Sequence, residues 1–361
     1  MGKKAVKQYI NIIILVISII LLIFTIIGIY GGNVNPTGHY LRAMTTLALP
    51  FILLCNVVVL IYWAIRRSYI AAIPVLALIF SFGYIGTIFQ FGGKPDNTNE
   101  NFTIASYNVR AFNQDGTGVV ASDVFASLQK EEADIVCLQE YNYTMSGSQR
   151  TVHDIVADTY PYVSHCNNLI ILSRFPIKKH KEIPFEYSNN SGMWADVQVD
   201  PKHRVRVYNV HMETTGINST LHHAAKEQAA QNASQELPEV QINTNVANSI
   251  LDNYKFNSSV RAGQAIIIAN DKRDSKYPII LCGDFNDVPY SFTYQTLLGD
   301  LKDGFKEGGH GFGATYRGAK GLFRIDYIFH SDKMQSLDYY TVDQDYSDHN
   351  PVYSKIAFKD E

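Results

Sequence analysis

Eight polar side chains stand where apolar runs of this sequence stop: Asn108, Glu140, His211, Asp284, Asn286, Asp326, Asp348 and His349. Carboxylates and amides with no cysteine among them suit a hard cation such as magnesium or manganese. Glu140 is the best single anchor for such an ion. Asp348 and Asn108 can complete the protein's share of its shell, with waters in the other positions. An ion of this kind polarises a phosphoryl oxygen and steadies a leaving oxygen. Asp284 can orient and deprotonate an attacking water, while Asn286 and Asn108 donate hydrogen bonds to phosphoryl oxygens. His349 can do the same with a proton, its tautomer held by a carboxylate for which Asp326 is the candidate. His211 can bind phosphate or protonate the leaving group. Together they describe in-line hydrolysis of a phosphate ester.

The runs that precede these residues must position them. Ile279, Ile280 and Leu281 lead through Cys282 and Gly283 to Asp284, Phe285 and Asn286. That pattern predicts a buried strand that surfaces at its carboxyl end. On an extended backbone Asp284 and Asn286 share a face, and Phe285 turns to the core. Gly283 lets another backbone come close, and Asp287-Val288-Pro289 turns the chain away. Similar runs are 102–110, with Asn108 and Arg110 on one face, and 134–140, ending at Glu140. Further strands are expected at 168–177, 194–199, 205–213 (Asn209 and His211 on one face), 323–329 (Arg324, Asp326 and Ile328 on one face) and 352–358. Helical spacing falls at 122–132, 220–236, 258–272 and 291–298. Strands and helices alternating at these intervals argue α/β. The 214–257 segment is the least regular, rich in Asn, Gln, Ser and Ala. It follows the His211 strand, which leaves it as either an overhanging lid or a surface insertion. The glycine-rich 308–313 stretch lacks phosphate-loop spacing and is read as structural.

The front of the 361-residue chain is different. Stretches 9–30, 44–65 and 70–91 are each 22 residues without a charge. Crossing a hydrocarbon core of about 30 Å takes about 20. Three transmembrane helices are therefore expected in an anchor over 1–93, with Tyr9, Tyr30, Tyr62, Trp63 and Tyr69 near the span ends. Lys3, Lys4 and Lys7 precede the first span and Arg66-Arg67 separates the second from the third, whereas only Arg42 lies between the first two. The positive-inside rule then puts the N-terminus in the cytoplasm and everything after the third span outside it. A polar linker is expected at 94–101 and one large domain at 102–361. Seven of the 31 basic residues and one of the 34 acidic ones precede residue 97, so 97–361 carries 24 against 33, a balance of −9. That weighs against a domain that grips long nucleic acid. Cys55 sits inside the second span, and the spacing of Cys137, Cys166 and Cys282 gives neither a zinc site nor a disulfide framework, so their redox state stays open.

The wording and order of six short motifs resemble the endonuclease/exonuclease/phosphatase superfamily. They are Tyr107-Asn108-Val109-Arg110, Leu138-Gln139-Glu140, Asn209-Val210-His211, Gly283-Asp284-Phe285-Asn286, Arg324-Ile325-Asp326-Tyr327-Ile328 and Ser347-Asp348-His349. The superfamily includes deoxyribonucleases, apurinic-site endonucleases, neutral sphingomyelinases and inositol polyphosphate 5-phosphatases. The resemblance implies a four-layer sandwich, two packed mixed β-sheets flanked by helices, with the site at one edge and one or two magnesium ions. It implies that Glu140 is the metal-binding glutamate with Asn108 beside it. Asp284 takes the place of the catalytic aspartate with Asn286 as partner. Asp348 and His349 are the terminal pair, with Asp326 supporting the histidine. His211 is similar to a histidine of deoxyribonucleases and sphingomyelinases, which tilts away from abasic-site repair. The membrane-anchored layout resembles exported bacterial members and implies an inner-membrane protein with its catalytic domain on the periplasmic side.

The expected activity is a metal-dependent phosphodiesterase or phosphatase next to the bilayer, acting on a lipid headgroup or small ester. A tethered non-specific nuclease is the alternative within the class. A non-catalytic receptor or scaffold on the same fold would be expected to have lost Asp284, His349 or Glu140, and all three are present. A transporter or sensor is disfavoured because the spans contain no ionisable acid or base for a relay.

Overall fold

The computed structural model describes residues 3–92, 101–113, 119–141, 156–231, 240, 242–318 and 321–359. The expected linker at 94–101 falls almost wholly outside them.

The chain after residue 100 builds two six-stranded sheets. After a short strand β1 (Phe89–Phe91) come β2 (Asn101–Asn108), β3 (Ile135–Gln139), β4 (Tyr162–Cys166), β5 (Leu169–Ser173), β6 (Ile177–Pro184), β7 (Ser191–Gln198) and β8 (Arg204–His211). Then follow β9 (Ile279–Asp284), β10 (Lys302–Asp303), β11 (His310–Phe312), β12 (Asp326–His330), β13 (Met334–Thr341) and β14 (Val352–Phe358). One sheet has the order β13-β14-β2-β3-β5-β4 and the other β10-β12-β9-β8-β7-β6. Each is mixed: β2–β3 is parallel in the first, β8–β9 is parallel in the second, and the other neighbours are antiparallel.

Both faces of the central strands are apolar because both are covered. In β2, Phe102 and Ile104 pack between the sheets, while Ala105 and Tyr107 face an outer helix over Val119–Lys130 through Val124, Phe125 and Leu128. In β9, Ile280 and Cys282 point into the inter-sheet core and Ile279 and Leu281 point outwards. There they meet Ala265 and Ile268 of the helix Thr244–Arg273 and Leu297 of Phe292–Leu298. The result is the expected helix–sheet–sheet–helix sandwich. All four cysteines are free thiols.

The 214–257 segment corrects the sequence reading. It holds the helix Ile217–Gln231 and the first half of Thr244–Arg273, whose start is capped by Asn243 Oδ1 accepting from Asn245 N and Val246 N at 3.0 Å each. The first overlaps the helix expected at 220–236; the turns at 244–257 lie on the surface and bury only scattered residues, so no apolar stripe marked them.

The front of the chain also departs from three straight spans. Among the described residues one helix, Lys4–Gly31, is long and apolar enough to cross a membrane. The next two apolar stretches are helix pairs, bent by 58° between Tyr40–Leu47 and Leu49–Ile65 and by 53° between Tyr69–Phe80 and Phe82–Ile88. Pro50, in the first turn of the second helix of its pair, cannot continue a helix through Ala48 without its ring meeting the Thr46 carbonyl. At Ser81 the hydroxyl donates to Ala77 O at 2.7 Å, so it competes with the helical amides there. The third stretch stops at Ile88, and Phe89–Phe91 is strand β1, antiparallel to β11. A polar ladder ties the first helix to the first of these pairs: Tyr62 Oη to Asn11, Trp63 Nε1 to Ser18, Asn56 Nδ2 to Thr25 and Thr46 Oγ1 to Gly28 O, at 2.7–3.0 Å. Small polar side chains buried among apolar helices hold them in register in this way.

Candidate active site

The carboxyl ends of the two parallel pairs meet at one edge of the sandwich. The β2–β3 register places Asn108 opposite Gln139, one residue before Glu140, and the β8–β9 register places His211 opposite Asp284. Antiparallel β12 enters from the other side with Asp326 opposite Asp284. The turn before β14 brings Ser347, Asp348 and His349 back over the end of β2, where Ser347 Oγ donates to Asn108 O at 2.7 Å.

Asp284 is the centre. It is fully buried, and Oδ2 accepts from Asn108 Nδ2 at 3.0 Å and Asn286 Nδ2 at 3.3 Å. His211 Nε2 stands 3.6 Å and His349 Nε2 3.7 Å from the same oxygen. Oδ1 accepts from Asn286 N at 2.8 Å. Burial raises the Asp284 pKa. The His349 ring opposes that, Asp326 adds to it, and His211 and Asn108 oppose it. A carboxylate lifted in this way is a better proton acceptor near neutral pH. His349 Nδ1 pairs with Asp326 Oδ2 at 2.9 Å. Burial alone would lower the His349 pKa, but the Asp326 and Asp284 carboxylates outweigh it and raise it to about 10, so the ring is an imidazolium at neutral pH.

A raised histidine pKa is also a stability statement. The contribution of His349 is fully present below its ordinary value of 6.5 and is lost as pH rises through about 10. In chelator the melting temperature is therefore expected to fall between pH 7 and pH 10. The Asp326→Asn variant should show a flatter profile in the same scan. Equal slopes in the two proteins would count against the ion pair.

The local backbone is built for the site. Gly283 has φ 141°, and a Cβ there would lie 1.9 Å from Val210 O, so only glycine allows β8 and β9 to bring His211 against Asp284. The strand stops at Asp284. Asn286 does not continue it but takes φ 50°, and its amide still turns back to Asp284 and to Met212 O at 3.0 Å. Asn286 thus reaches its expected partner through a turn, not through strand alternation. Glu140 has φ 51°, and Arg110 to Asn113 run at φ 46–53°, so β2 also ends before the predicted Arg110. Non-glycine residues in this region cost about 1–3 kcal/mol each and concentrate at functional sites.

Glu140 and Asp348 line the mouth, with about two-fifths of each side chain exposed. Glu140 Oε1 accepts from Asn108 Nδ2 at 2.9 Å and lies 3.8 Å from His211 Nε2. Arg110 Nε stands 3.8 Å from Asp348 Oδ1. Asn108 bridges the Glu140 and Asp284 carboxylates with its amide nitrogen while Oδ1 accepts from Arg110 N at 3.0 Å. Asp284, Asp326 and His349 form a second potential ligand group, with ligand atoms all within 4.8 Å of one another. Among the described residues, Asp326 Oδ1 and His211 Nδ1 are buried without a hydrogen-bond partner. A carboxylate-rich donor set with an unpaired buried carboxylate oxygen fits a hard divalent cation.

The structure brings together all eight residues chosen from the sequence, and adds others. Gln139 Nε2 donates to Asn209 Oδ1 at 2.7 Å, and Asn209 Nδ2 donates to Leu138 O at 2.9 Å and Ile170 O at 3.0 Å. This buried amide pair ties the two sheets together directly below the site. Tyr316 stands 5.3 Å from the His349 ring, with its hydroxyl accepting from Asn218 Nδ2 at 2.6 Å. Gln139, Asn209 and Ser347 sat inside quoted motifs and were legible as candidates; nothing in the sequence around Tyr316 marked it.

A profile of the Endonuclease/Exonuclease/phosphatase family matches residues 105–349, and the chain belongs to that family. A second profile, of a domain of unknown function, matches residues 11–88. No curated protein matches the chain. Among solved structures, a functionally unknown conserved protein from Enterococcus faecalis V583 is 16% identical with a TM-score of 0.52, over 72% of this chain and 100% of that one. An endonuclease/exonuclease/phosphatase from Bacteroides vulgatus is 14% identical with a TM-score of 0.51, over 72% and 99%. A sphingomyelinase C from Streptomyces griseocarneus is 17% identical with a TM-score of 0.46, over 71% and 99%. What the first two share with this chain is the sandwich, and the substrates of none of these proteins transfer.

Proposed function

We propose that the protein is a membrane-anchored, divalent-metal-dependent hydrolase of phosphate esters, acting on a lipid headgroup or a small ester. The observation that carries the reading is the buried Asp284 carboxylate, with Asn108, Asn286, His211 and His349 donors within 3.0–3.7 Å at a mouth where strands of both sheets end. Asp284 takes the proton of an attacking water. Asn286, Asn108 and the imidazolium of His349 donate to the phosphoryl oxygens, and Asp326 holds His349 in place. His211, with its Nε2 between Glu140 and Asp284, binds phosphate or protonates the leaving oxygen. Glu140 and Asp348 would hold magnesium or manganese. Asn108 can join that shell through Oδ1, whose second lone pair is left over from the bond to the Arg110 amide. The ion, when bound, polarises the phosphoryl group and stabilises the leaving oxygen. The Glu140→Gln variant is expected to weaken Mn2+ binding at least about tenfold in calorimetry, and unchanged affinity would remove Glu140 from the shell.

Three crossings result if each bent helix pair is one span. The contacts with the sandwich support alternation. They fall at the end of the first helix (Ile29, Gly32), the start of the long helix of the first pair (Leu49, Phe51) and the end of the third stretch (Thr87, Ile88), while Arg66-Arg67 lies at the far turn. With the N-terminus cytoplasmic, the hydrolase then faces the periplasm. The balance of −9 after residue 96 favours a lipid headgroup or small ester over a long nucleic acid. The deciding experiment is hydrolysis by the full chain in detergent, with magnesium or with chelator. The panel holds a diester reporter, a monoester reporter, sphingomyelin and other phospholipids, and plasmid DNA. Magnesium-dependent turnover is expected, best on an ester other than DNA. DNA as the best substrate would turn the reading to a tethered nuclease. No turnover together with no metal binding would turn it to a receptor.

A further inference from the structure

Two loops of the site rest on the N-terminal helices. The first is the excursion between β11 and β12, whose two limbs are residues 310–318 and 321–326. Its outer ends are clamped to the helices. Phe312 pairs with Phe89 in the β1–β11 ribbon with rings 4.9 Å apart, and Gly313 N donates to Ile88 O at 3.0 Å. The Phe323 ring meets Phe51 edge-on at 6.2 Å, and Arg324 Nη1 donates to Thr87 O at 3.0 Å. The second is the loop after Asn286. Tyr290 packs into the cluster of Ile29, Leu49, Leu53 and Tyr84, with its ring 5.7 Å from that of Tyr84. A Cβ on Gly32 would lie 1.7 Å from Tyr290 O, so the two backbones are in contact.

The inner parts of the same limbs hold the catalytic residues. Phe323 O accepts from Thr315 N and Tyr316 N, each at 3.0 Å. Thr315 Oγ1 accepts from Ile325 N at 3.0 Å and Asp326 N at 3.1 Å. Asn350 N donates to Thr315 O at 2.7 Å and Arg317 N to Asp348 O at 2.8 Å, which brackets His349, while the Tyr316 ring stands against it at 5.3 Å. Arg324 is buried two residues before Asp326 and is gripped by Asp303. Each step from Phe51 to His349 is thus a named contact: Phe51 to Phe323, Phe323 to Thr315 and Tyr316, and these to Asp326, His349 and Asn350.

We propose that the N-terminal helices are a structural part of the catalytic site, clamping the 310–326 limbs that fix Asp326 and His349, so that turnover of even a freely soluble ester depends on this contact. The proposal rests on the hydrolase reading above. Phe51, Phe89, Phe323 and Arg324 are positioning residues in this view, and none of them touches substrate.

The test uses the full chain in detergent with magnesium and bis(4-nitrophenyl) phosphate, a soluble diester, so that presentation of substrate by a membrane plays no part. The Phe51→Ala/Phe89→Ala double variant removes two ring contacts on the helix side. Phe51→Leu/Phe89→Leu is the conservative counterpart, and Phe24→Ala/Leu54→Ala changes exposed positions elsewhere on the helices. Expected for the first variant are about tenfold lower kcat, KM within about twofold, and faster amide exchange at Thr315, Tyr316, Asp326 and Asn350. The leucine variant should recover most of the loss, and the control should match the parent. Faster exchange with unchanged kcat would overturn the proposal, and so would unchanged exchange. If the parent does not turn over this diester, the rates are measured on the substrate that the panel above identifies; no turnover on the whole panel together with no metal binding is what sinks the hydrolase reading, and exchange faster in the double variant alone would then still establish the clamp.

Discussion

Asp284→Asn is expected to lower kcat by about 10³-fold, within the range that positioned general bases supply, with a melting temperature equal to or above that of the parent. The carboxylate is fully buried, and its pKa is raised first by that burial. The folded protein therefore gives up stability to keep an ionised group there, and a neutral amide of the same shape removes that cost. The Asn108 and Asn286 amide donors at 3.0 and 3.3 Å still find an acceptor oxygen. The basicity disappears, together with the acceptor for Asn286 N and one of the two carboxylates that hold His349 as an imidazolium. Steady-state rates and a thermal melt on the same preparation separate the two effects. A loss below about tenfold would mean that another group takes the proton.

The second large effect is on stability. Asp303→Asn is expected to cost about 3–5 kcal/mol, the usual penalty for leaving a buried charge without its partner. Arg324 is fully enclosed, and its Nη1 and Nη2 fork onto Asp303 at 2.8 and 2.5 Å, with Phe305 and Tyr327 ring centroids each 4.6 Å from the guanidinium carbon. Burial alone would lower the Arg324 pKa, but Asp303 more than reverses this and the guanidinium stays charged. With asparagine at 303 the guanidinium keeps one neutral acceptor there, together with the Thr87 carbonyl at 3.0 Å and a distant Tyr339 hydroxyl at 3.4 Å, and loses its counter-charge and half of the fork. Urea unfolding of the full chain measures the cost, and a change under about 1 kcal/mol would show that the pair is not what holds Arg324. The same variant should also show faster exchange at Asp326, because Arg324 is two residues away on the same chain.

The site residues were legible from sequence for a simple reason. A strand buried on both faces is apolar along its length, so a polar residue at its end marks the point where it reaches the surface. That identified Asn108, Glu140, His211, Asp284 and Asp326, and the Ser347-Asp348-His349 turn stood out as a polar cluster before a proline. The apolar first helix was equally plain, because crossing a membrane demands an unbroken apolar stretch. Other features left no local signal. The Thr244–Arg273 helix is half surface, so its first turns lack an apolar stripe. The bends at Ala48 and Ser81 are small local effects inside uniformly apolar stretches. Strands β4, β6 and β13 sit at or next to sheet edges with mixed patterns such as Lys178-Lys179-His180-Lys181 in β6.

Which residues gather at the candidate site was therefore written along the chain, but how they are held was not. Asp284, Asp326 and His349 lie far apart in sequence, and their approach to within 4.8 Å depends on two parallel strand pairs closing on one another. The left-handed turns at Glu140 and Asn286 aim their side chains only because the surrounding strands enforce them. The seating of the 310–326 limbs on Phe51, Thr87 and Ile88 joins residues more than 200 positions apart. Alternation of side chains is a local property of backbone geometry and shows in the sequence. Contacts of this range depend on how whole sheets and helices pack, and only the tertiary structure decides them.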